Sequence, residues 1–188
     1  MKKIASTLPN MLLSLTLIAV ISAALLAVVK TITDEPIRLA EEKKQTEALQ
    51  QVLPAFDNVK QEEDDNGVVY KAYRNHKWVG TAVKCKTTGF GGDIVIMAGF
   101  DHHNKLVDYV VLQQSETPGL GTKMVDWFKE ALKGRLFTND PVKVKQDGGD
   151  VQAITAATIS SRAFLEAINN AYLIANGHDA TTSATEVE

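Results

Sequence analysis

The sequence predicts an α+β protein in which a single N-terminal transmembrane helix precedes one domain with an antiparallel sheet and flanking helices. Three observations predict this class: an uncharged apolar run over residues 11–29, alternating stretches between residues 68 and 114, and a helical pattern near the C-terminus. A chain of 188 residues has room for one ordinary domain plus an appendage.

Residues 11–29, MLLSLTLIAVISAALLAVV, predict a membrane helix. About twenty residues, at a rise of about 1.5 Å each, cross a hydrocarbon core of about 30 Å. A cleaved signal peptide is the alternative, because residues 22–24 are small. However, signal-peptide apolar cores end before the cleavage site, whereas this run continues to residue 29. We therefore expect residues 1–30 to be a retained stub and anchor.

The orientation of the anchor follows from what flanks it. Lys2 and Lys3 form a short basic stub, and a large domain follows the helix. Long domains translocate largely regardless of their charge. We expect a single-pass protein of the inner (cytoplasmic) membrane, with its domain on the extracytoplasmic (periplasmic) side.

The segment 31–55 predicts a linker helix that continues from the membrane helix or restarts after it. It is rich in Glu, Lys, Gln, Ala and Leu, and Pro54 closes it. The domain then covers residues 56–176. Its acidic stretch KQEEDDNG at 60–67 predicts a solvated loop.

Four alternating stretches predict the strands of an antiparallel meander. Their sequences are VVYKAYR, KWVGTAVKCKT, DIVIMAGFD and KLVDYVVLQQ, with RNHK and DHHNK as intervening turns.

The C-terminal part of the domain predicts mainly helix. Residues 124–133 indicate a short helix before Gly134, and FTNDPVKVKQDGGD indicates a final strand and a glycine-rich turn. Residues 164–175 place their apolar side chains on one helical face. The polar residues 177–188 predict a flexible tail.

Several function classes are disfavoured by composition and spacing. A net charge of −3 does not suit nucleic-acid binding. The single cysteine, Cys85, excludes an internal disulfide or a multi-cysteine cluster within one chain. His102 and His103 share a turn without a third ligand at metal spacing, and no G-x-S-x-G elbow occurs. GFGGDIVIM runs into a strand, whereas nucleotide loops run into a helix, so its glycines indicate a bend or a close approach.

The stretch SETPGLGTKM, residues 115–124, suits a ligand loop. Pro118 and Gly119 signal a type II turn. Leu120 lies between two glycines at the tip, and Glu116 stands at the end of a strand. A planar apolar ligand would fit against such a tip, with backbone N–H groups supplying polar contacts.

The stretch ITAATISSRAF, residues 154–164, contains four hydroxyl side chains just before the last helix: Thr155, Thr158, Ser160 and Ser161. One hydroxyl is expected as an N-cap, which contributes about 1 kcal/mol. A helix N-terminus also favours phosphate, because its N–H groups are unpaired and its end is partly positive. Pattern alone leaves a capped helix start and a phosphate site both open.

Together, SETPGLGT and ITAATISS resemble the two signatures of the FMN-binding domain in the G subunit of the Rnf electron-transport complex. The C subunit of the Na⁺-translocating NADH:quinone reductase is similar. In that family a flavin transferase joins FMN through its phosphate to the last hydroxyl of a (S/T)-G-A-(T/S) motif. The matching residues here are 155–158, so the resemblance implies Thr158 as the attachment residue. The family glycine is replaced by Ala156, and the acid usually found six residues before the acceptor is replaced by Gln152.

The resemblance also implies the roles of other residues toward FMN. The residues that would contact the ring or the ribityl chain are Glu116, Thr117, Gly119, Leu120 and Gly121. Ser160 and Ser161 would contact the phosphate. Thr155 and Ala157 complete the attachment motif. It implies no catalytic residue and no metal site.

The function implied by the resemblance is a membrane-anchored electron relay with covalent FMN. It would act in a ferredoxin:NAD⁺ oxidoreductase that couples electron transfer to Na⁺ or H⁺ translocation. Its partners would be the other subunits, the flavin transferase and, through residues 11–29, the lipid bilayer. Two alternatives remain open: a role like that of the C subunit in the quinone reductase, and a cofactor-free anchored extracytoplasmic binding or scaffold domain.

Overall fold

A computed structural model describes residues 7–64 and 67–177. The stub residues 1–6, with Lys2 and Lys3, and the tail residues 178–188 lie outside the described residues. The chain divides into two compact units, Met1–Lys43 and Lys44–Glu188.

Helix α1, Leu8–Val52, is one continuous helix of 45 residues. It runs through Pro36, so the linker segment continues the apolar N-terminal helix and does not restart after it. Its apolar side chains in the first unit are exposed. It is the one helix among residues 7–64 and 67–177 that is long and apolar enough to cross a membrane.

The second unit contains a five-stranded antiparallel sheet in the order β1-β2-β3-β4-β5, which confirms the α+β class and the meander. The strands are β1 (Asn58–Asp64), β2 (Gly67–Arg74), β3 (Lys77–Thr88), β4 (Asp93–Asp101) and β5 (Leu106–Gln113). Each strand pairs with the next in sequence.

Both faces of the sheet are covered. Helix α4, Thr158–Ala175, packs against β3 and β4 on one face, where Phe164 stacks on Phe128 with ring centroids 4.9 Å apart. On the other face, the end of α1 places Ala48 and Val52 against Met97. Burial on both faces explains why β4 reads as a nearly continuous apolar run.

Cys85 is a structural residue of this core. Its thiol lies 3.3 Å from the carbonyl oxygen of Ala167 in α4, and burial raises the pKa of the thiol to about 12. A thiol that stays protonated at neutral pH is a poor nucleophile.

The structure corrects three sequence predictions. The acidic stretch at 60–67 is not simply a loop, because residues up to Asp64 form β1, where Lys71 of β2 pairs with Glu62 at 2.7 Å. The helix predicted over 124–133 is broken at Phe128 into α2 (Met124–Trp127) and α3 (Lys129–Leu132). No strand follows β5 within residues 67–177. The predicted final strand is reduced to one bridge between Val144 and Val151.

Candidate functional site

A cavity of about 330 Å³ lies where three loops meet. The loops are the β3–β4 turn, the segment after β5, and the turn that leads into α4. The lining residues are Phe90, Thr117, Leu120, Gly121, Ala156, Ala157, Thr158, Ile159 and Ser160. None of these carries a charge, and the volume falls at the lower end of the range of about 300–1,000 Å³ that is usual for ligand sites.

The segment after β5 forms the predicted type II turn. The N–H of Leu120 donates to the carbonyl oxygen of Thr117 at 3.1 Å, and Gly119 has φ +75°, the conformation this turn requires at its third residue. The N–H of Gly119 donates to Thr122 Oγ1 at 2.9 Å. These bonds project Leu120, which is 36% exposed, at the cavity wall.

Glu116 lies beneath the cavity and joins the loops around it. Its side chain is buried, and its Oε1 accepts hydrogen bonds from the N–H groups of Phe90 at 2.7 Å and Gly91 at 3.2 Å. Its Oε2 accepts from Ser160 Oγ at 2.7 Å. A Cβ on Gly121 would lie 2.7 Å from this Oε2, so the second glycine of the turn leaves room for the carboxylate. Glu116 therefore positions the cavity walls and does not line the cavity itself.

The turn that leads into α4 spans Ile154 to Ala157, closed by a 3.0 Å bond from the N–H of Ala157 to the carbonyl oxygen of Ile154. Its third residue, Ala156, has φ +61°. This left-handed conformation favours glycine, because a Cβ there approaches the following carbonyl oxygen. Ala156 is therefore strained.

Four hydroxyls near the start of α4 have different environments. The N-cap residue is Ala157 and makes no side-chain cap, so the expected hydroxyl N-cap is absent. Ser161 Oγ accepts from the N–H of Ile154 at 3.0 Å and donates to the carbonyl oxygen of Ala157 at 2.8 Å, which fixes the turn. Thr155 is exposed and lies outside the cavity lining.

Thr158 is the first residue of α4 and lines the cavity half-buried. Its hydroxyl makes no hydrogen bond with any residue of the described ranges 7–64 and 67–177. Among the four hydroxyl residues, it is the one that combines cavity access with a side chain that has no partner in those ranges.

Arg162 does not supply charge to the cavity. Its guanidinium pairs with Asp147 through two hydrogen bonds of 2.7 and 2.6 Å. The hydrogen bond from Arg162 lowers the pKa of the Asp147 carboxyl. An anion at the start of α4 would therefore meet neutral donors, namely the first helical N–H groups and hydroxyls.

Comparison with known proteins shows the family of the chain. Residues 89–173 match the FMN-binding domain. The G subunit of the ion-translocating oxidoreductase complex of Yersinia pestis is 32% identical, over 86% of this chain and 87% of the relative. The chain belongs to the family of this G subunit. Members from Vibrio parahaemolyticus and Methanosarcina acetivorans are 30% and 31% identical, over 84% and 86% of this chain and 84% and 91% of the relatives.

The residues at the cavity fit FMN, the group that the family implies. Three partly or largely exposed apolar side chains, Phe90, Leu120 and Ile159, offer surface to a flat ring. Thr158 offers a hydroxyl at a helix N-terminus, where phosphate is favoured. The same cavity thus combines an apolar wall with the N-terminal end of a helix.

The structure brings together most of the residues that the sequence predicted. Those that line the cavity are Thr117, Leu120, Gly121, Ala157, Thr158 and Ser160, whereas Glu116, Gly119, Thr155 and Ser161 lie behind it or beside it. Sequence reasoning missed Phe90 and Ile159. The signal for Phe90 was an aromatic residue between the glycines of GFGG.

Proposed function

We propose that this chain is a membrane-anchored flavoprotein that relays electrons inside an ion-translocating oxidoreductase complex. Membership of the G-subunit family supports the role in a complex, and the match to the FMN-binding domain supports the cofactor. When bound, FMN would accept and donate the electrons. No residue that lines the cavity is an acid or base suited to proton transfer, so the chain's own residues bind and orient.

Thr158 is the proposed attachment residue. The carrying observation is its position: a hydroxyl without a partner in the described ranges, at the first turn of α4, inside the cavity. In the phosphoester, Thr158 Oγ1 would bond to the phosphorus of the FMN moiety and lose its proton. The flavin transferase would take that moiety from a flavin dinucleotide, whose pyrophosphate P–O bond breaks as the bond to Thr158 forms and whose nucleoside monophosphate leaves. The N–H groups at the start of α4 would then donate to the phosphate oxygens. Ser160, predicted as a further phosphate donor, instead gives its one hydroxyl proton to Glu116 Oε2 at 2.7 Å and so holds the cavity wall. Ser161 would support the turn, because both of its hydrogen bonds go to backbone groups.

A covalent link has a physical purpose on the extracytoplasmic side, where we propose that the domain lies. Free FMN is scarce there, so a reversibly bound flavin would be lost by mass action. The α1 helix would hold the domain at the inner membrane close to the other subunits. The coupled ion would be Na⁺ or H⁺.

The test is replacement of Thr158 by Val in a strain that contains the flavin transferase. Covalent flavin, seen as in-gel fluorescence and as an FMN increment in intact mass, is expected to disappear. Thr138→Val is the matched control, because Thr138 is exposed and lies outside both the motif at 155–158 and the cavity lining, and it should retain flavin. Fluorescence that persists in Thr158→Val would contradict the attachment site.

Two further measurements separate the alternatives. A wild-type mass equal to the bare polypeptide would favour a cofactor-free scaffold, a role that the strained Ala156 makes worth testing. Co-purifying subunits identify the complex, since a quinone reductase assembly would assign the chain a role like that of its C subunit.

A further inference from the structure

A glycine-rich hairpin holds an aromatic side chain at the cavity. Phe90 lies between Gly89 and Gly91 in the β3–β4 turn, and its side chain is 67% exposed although it lines the cavity. An exposed phenyl ring gains nothing from burial in the core. The ring therefore contributes little to the core, and its face stays open to a ligand in the cavity.

The turn is built to fix the backbone of Phe90. The N–H of Gly89 donates to the carbonyl oxygen of Gly92 at 2.9 Å, which closes the hairpin. The N–H of Phe90 itself donates to Glu116 Oε1 at 2.7 Å. The residue is thus anchored to a buried carboxylate on a separate loop.

The neighbouring glycines allow this close approach. A Cβ on Gly89 would lie 2.1 Å from Glu116 Oε1, and a Cβ on Gly91 would lie 2.2 Å from the carbonyl oxygen of Ser115. Any larger residue at either position would push the hairpin away from the segment after β5. The glycines therefore keep Phe90 at the cavity while its ring remains uncovered.

We propose that Phe90 is the stacking residue of the site and packs its ring against the isoalloxazine face of FMN. This inference rests on the proposed function and deepens it. Offset stacking of aromatic rings adds to the free energy gained by burial. Leu120 and Ile159, on the other two loops, supply the remaining apolar contacts. Glu116 acts through Phe90 as a positioning residue.

The decisive test is Phe90→Trp in the full-length chain, expressed with its flavin transferase and purified in detergent. An indole in contact with a flavin quenches its emission by electron transfer, so loss of most of the emission per bound flavin is expected. Leu136→Trp is the matched control, because Leu136 is 56% exposed and does not line the cavity. It should keep the wild-type emission.

A second measurement covers the case in which Phe90→Trp does not load flavin. FMN is titrated into Thr158→Val chains, in which binding is reversible. Adding Phe90→Ala should raise the Kd for FMN by about two- to tenfold, which corresponds to the loss of one aromatic stacking interaction. Adding Leu136→Ala should leave the Kd unchanged.

The outcomes separate the two proposals. Wild-type emission from fully loaded Phe90→Trp overturns the stacking role, and so does an unchanged Kd in Phe90→Ala. Either result leaves FMN binding itself intact. A wild-type chain that neither carries nor binds FMN overturns the proposed function, and the stacking role with it.

Discussion

Replacing Ala156 by glycine should stabilise the domain, although the change removes a methyl group. Ala156 has φ +61°, and an L-residue with a Cβ loses about 1–2 kcal/mol in that conformation relative to glycine. Glycine also increases the conformational entropy of the unfolded chain, and this lowers the gain in the free energy of unfolding by about 0.4–1 kcal/mol. Ala156 is exposed, so little buried area is lost. The expected net gain in the free energy of unfolding is about 0.5–1 kcal/mol.

The measurement is equilibrium urea unfolding of the full-length chain in detergent. Both tryptophans, Trp78 and Trp127, lie in the second unit, so their emission reports on that unit. In a thermal melt the same gain corresponds to a rise in Tm of about 1–4 °C for a domain of this size.

Two control variants test the reasoning. His76 also has a positive φ, +64°, beside Asn75 in the β2–β3 turn, so His76→Gly should stabilise by a similar amount. Ala157 has φ −140° and is buried, so Ala157→Gly should destabilise. If Ala156→Gly lowers stability while both controls behave as expected, strain at Ala156 is refuted.

The remaining predictions concern Glu116 and Asp108, the two carboxylates that are buried among the residues the structure describes. Glu116→Ala should lower the free energy of unfolding by about 2 kcal/mol or more, because three donors lose their acceptor. Glu116→Gln keeps an oxygen that can accept from the two N–H groups, so it should lower the free energy of unfolding clearly less than Glu116→Ala does, as measured by urea unfolding. Equal losses in the two variants would contradict the acceptor role of Glu116. For Asp108, burial raises the carboxyl pKa, but hydrogen bonds from the Tyr109 N–H, Lys133 and Gln51 and the charge of Lys129 outweigh it, so the folded-state pKa is lowered. The stability that ionised Asp108 contributes is present above the unfolded-state pKa of about 3.9 and is lost as the pH falls through the lowered folded-state pKa. In Asp108→Asn, the free energy of unfolding should therefore fall less steeply as the pH drops below about 4. A free energy of unfolding that falls as steeply as in the wild type over this pH range would contradict the prediction.

Much of this protein follows from local sequence. The apolar N-terminal helix, strands β2 to β5 and helix α4 were predictable because each is marked by a local pattern of apolar residues, which is a continuous run in the N-terminal helix and in β4 and a periodic one in α4. Strand β1 was not, because its charged residues lack the alternation, and it forms only by pairing with β2. The break at Phe128 was missed for a related reason: its ring stacks on Phe164 of α4, a contact that a local helical pattern does not contain.

The candidate site divides in the same way. The turn signal at residues 118–119 and the hydroxyl-rich stretch before α4 are local patterns, so Leu120 and Thr158 were predictable from sequence and family resemblance. The hydrogen bonds that Glu116 accepts were not predictable from sequence, because their donors lie 26 positions away at Phe90 and 44 positions away at Ser160. The sign of φ at Ala156 was likewise set by the turn in which Ser161 holds Ile154. Side-chain periodicity records which face of an element is buried, whereas only packing of distant segments decides which polar groups meet there.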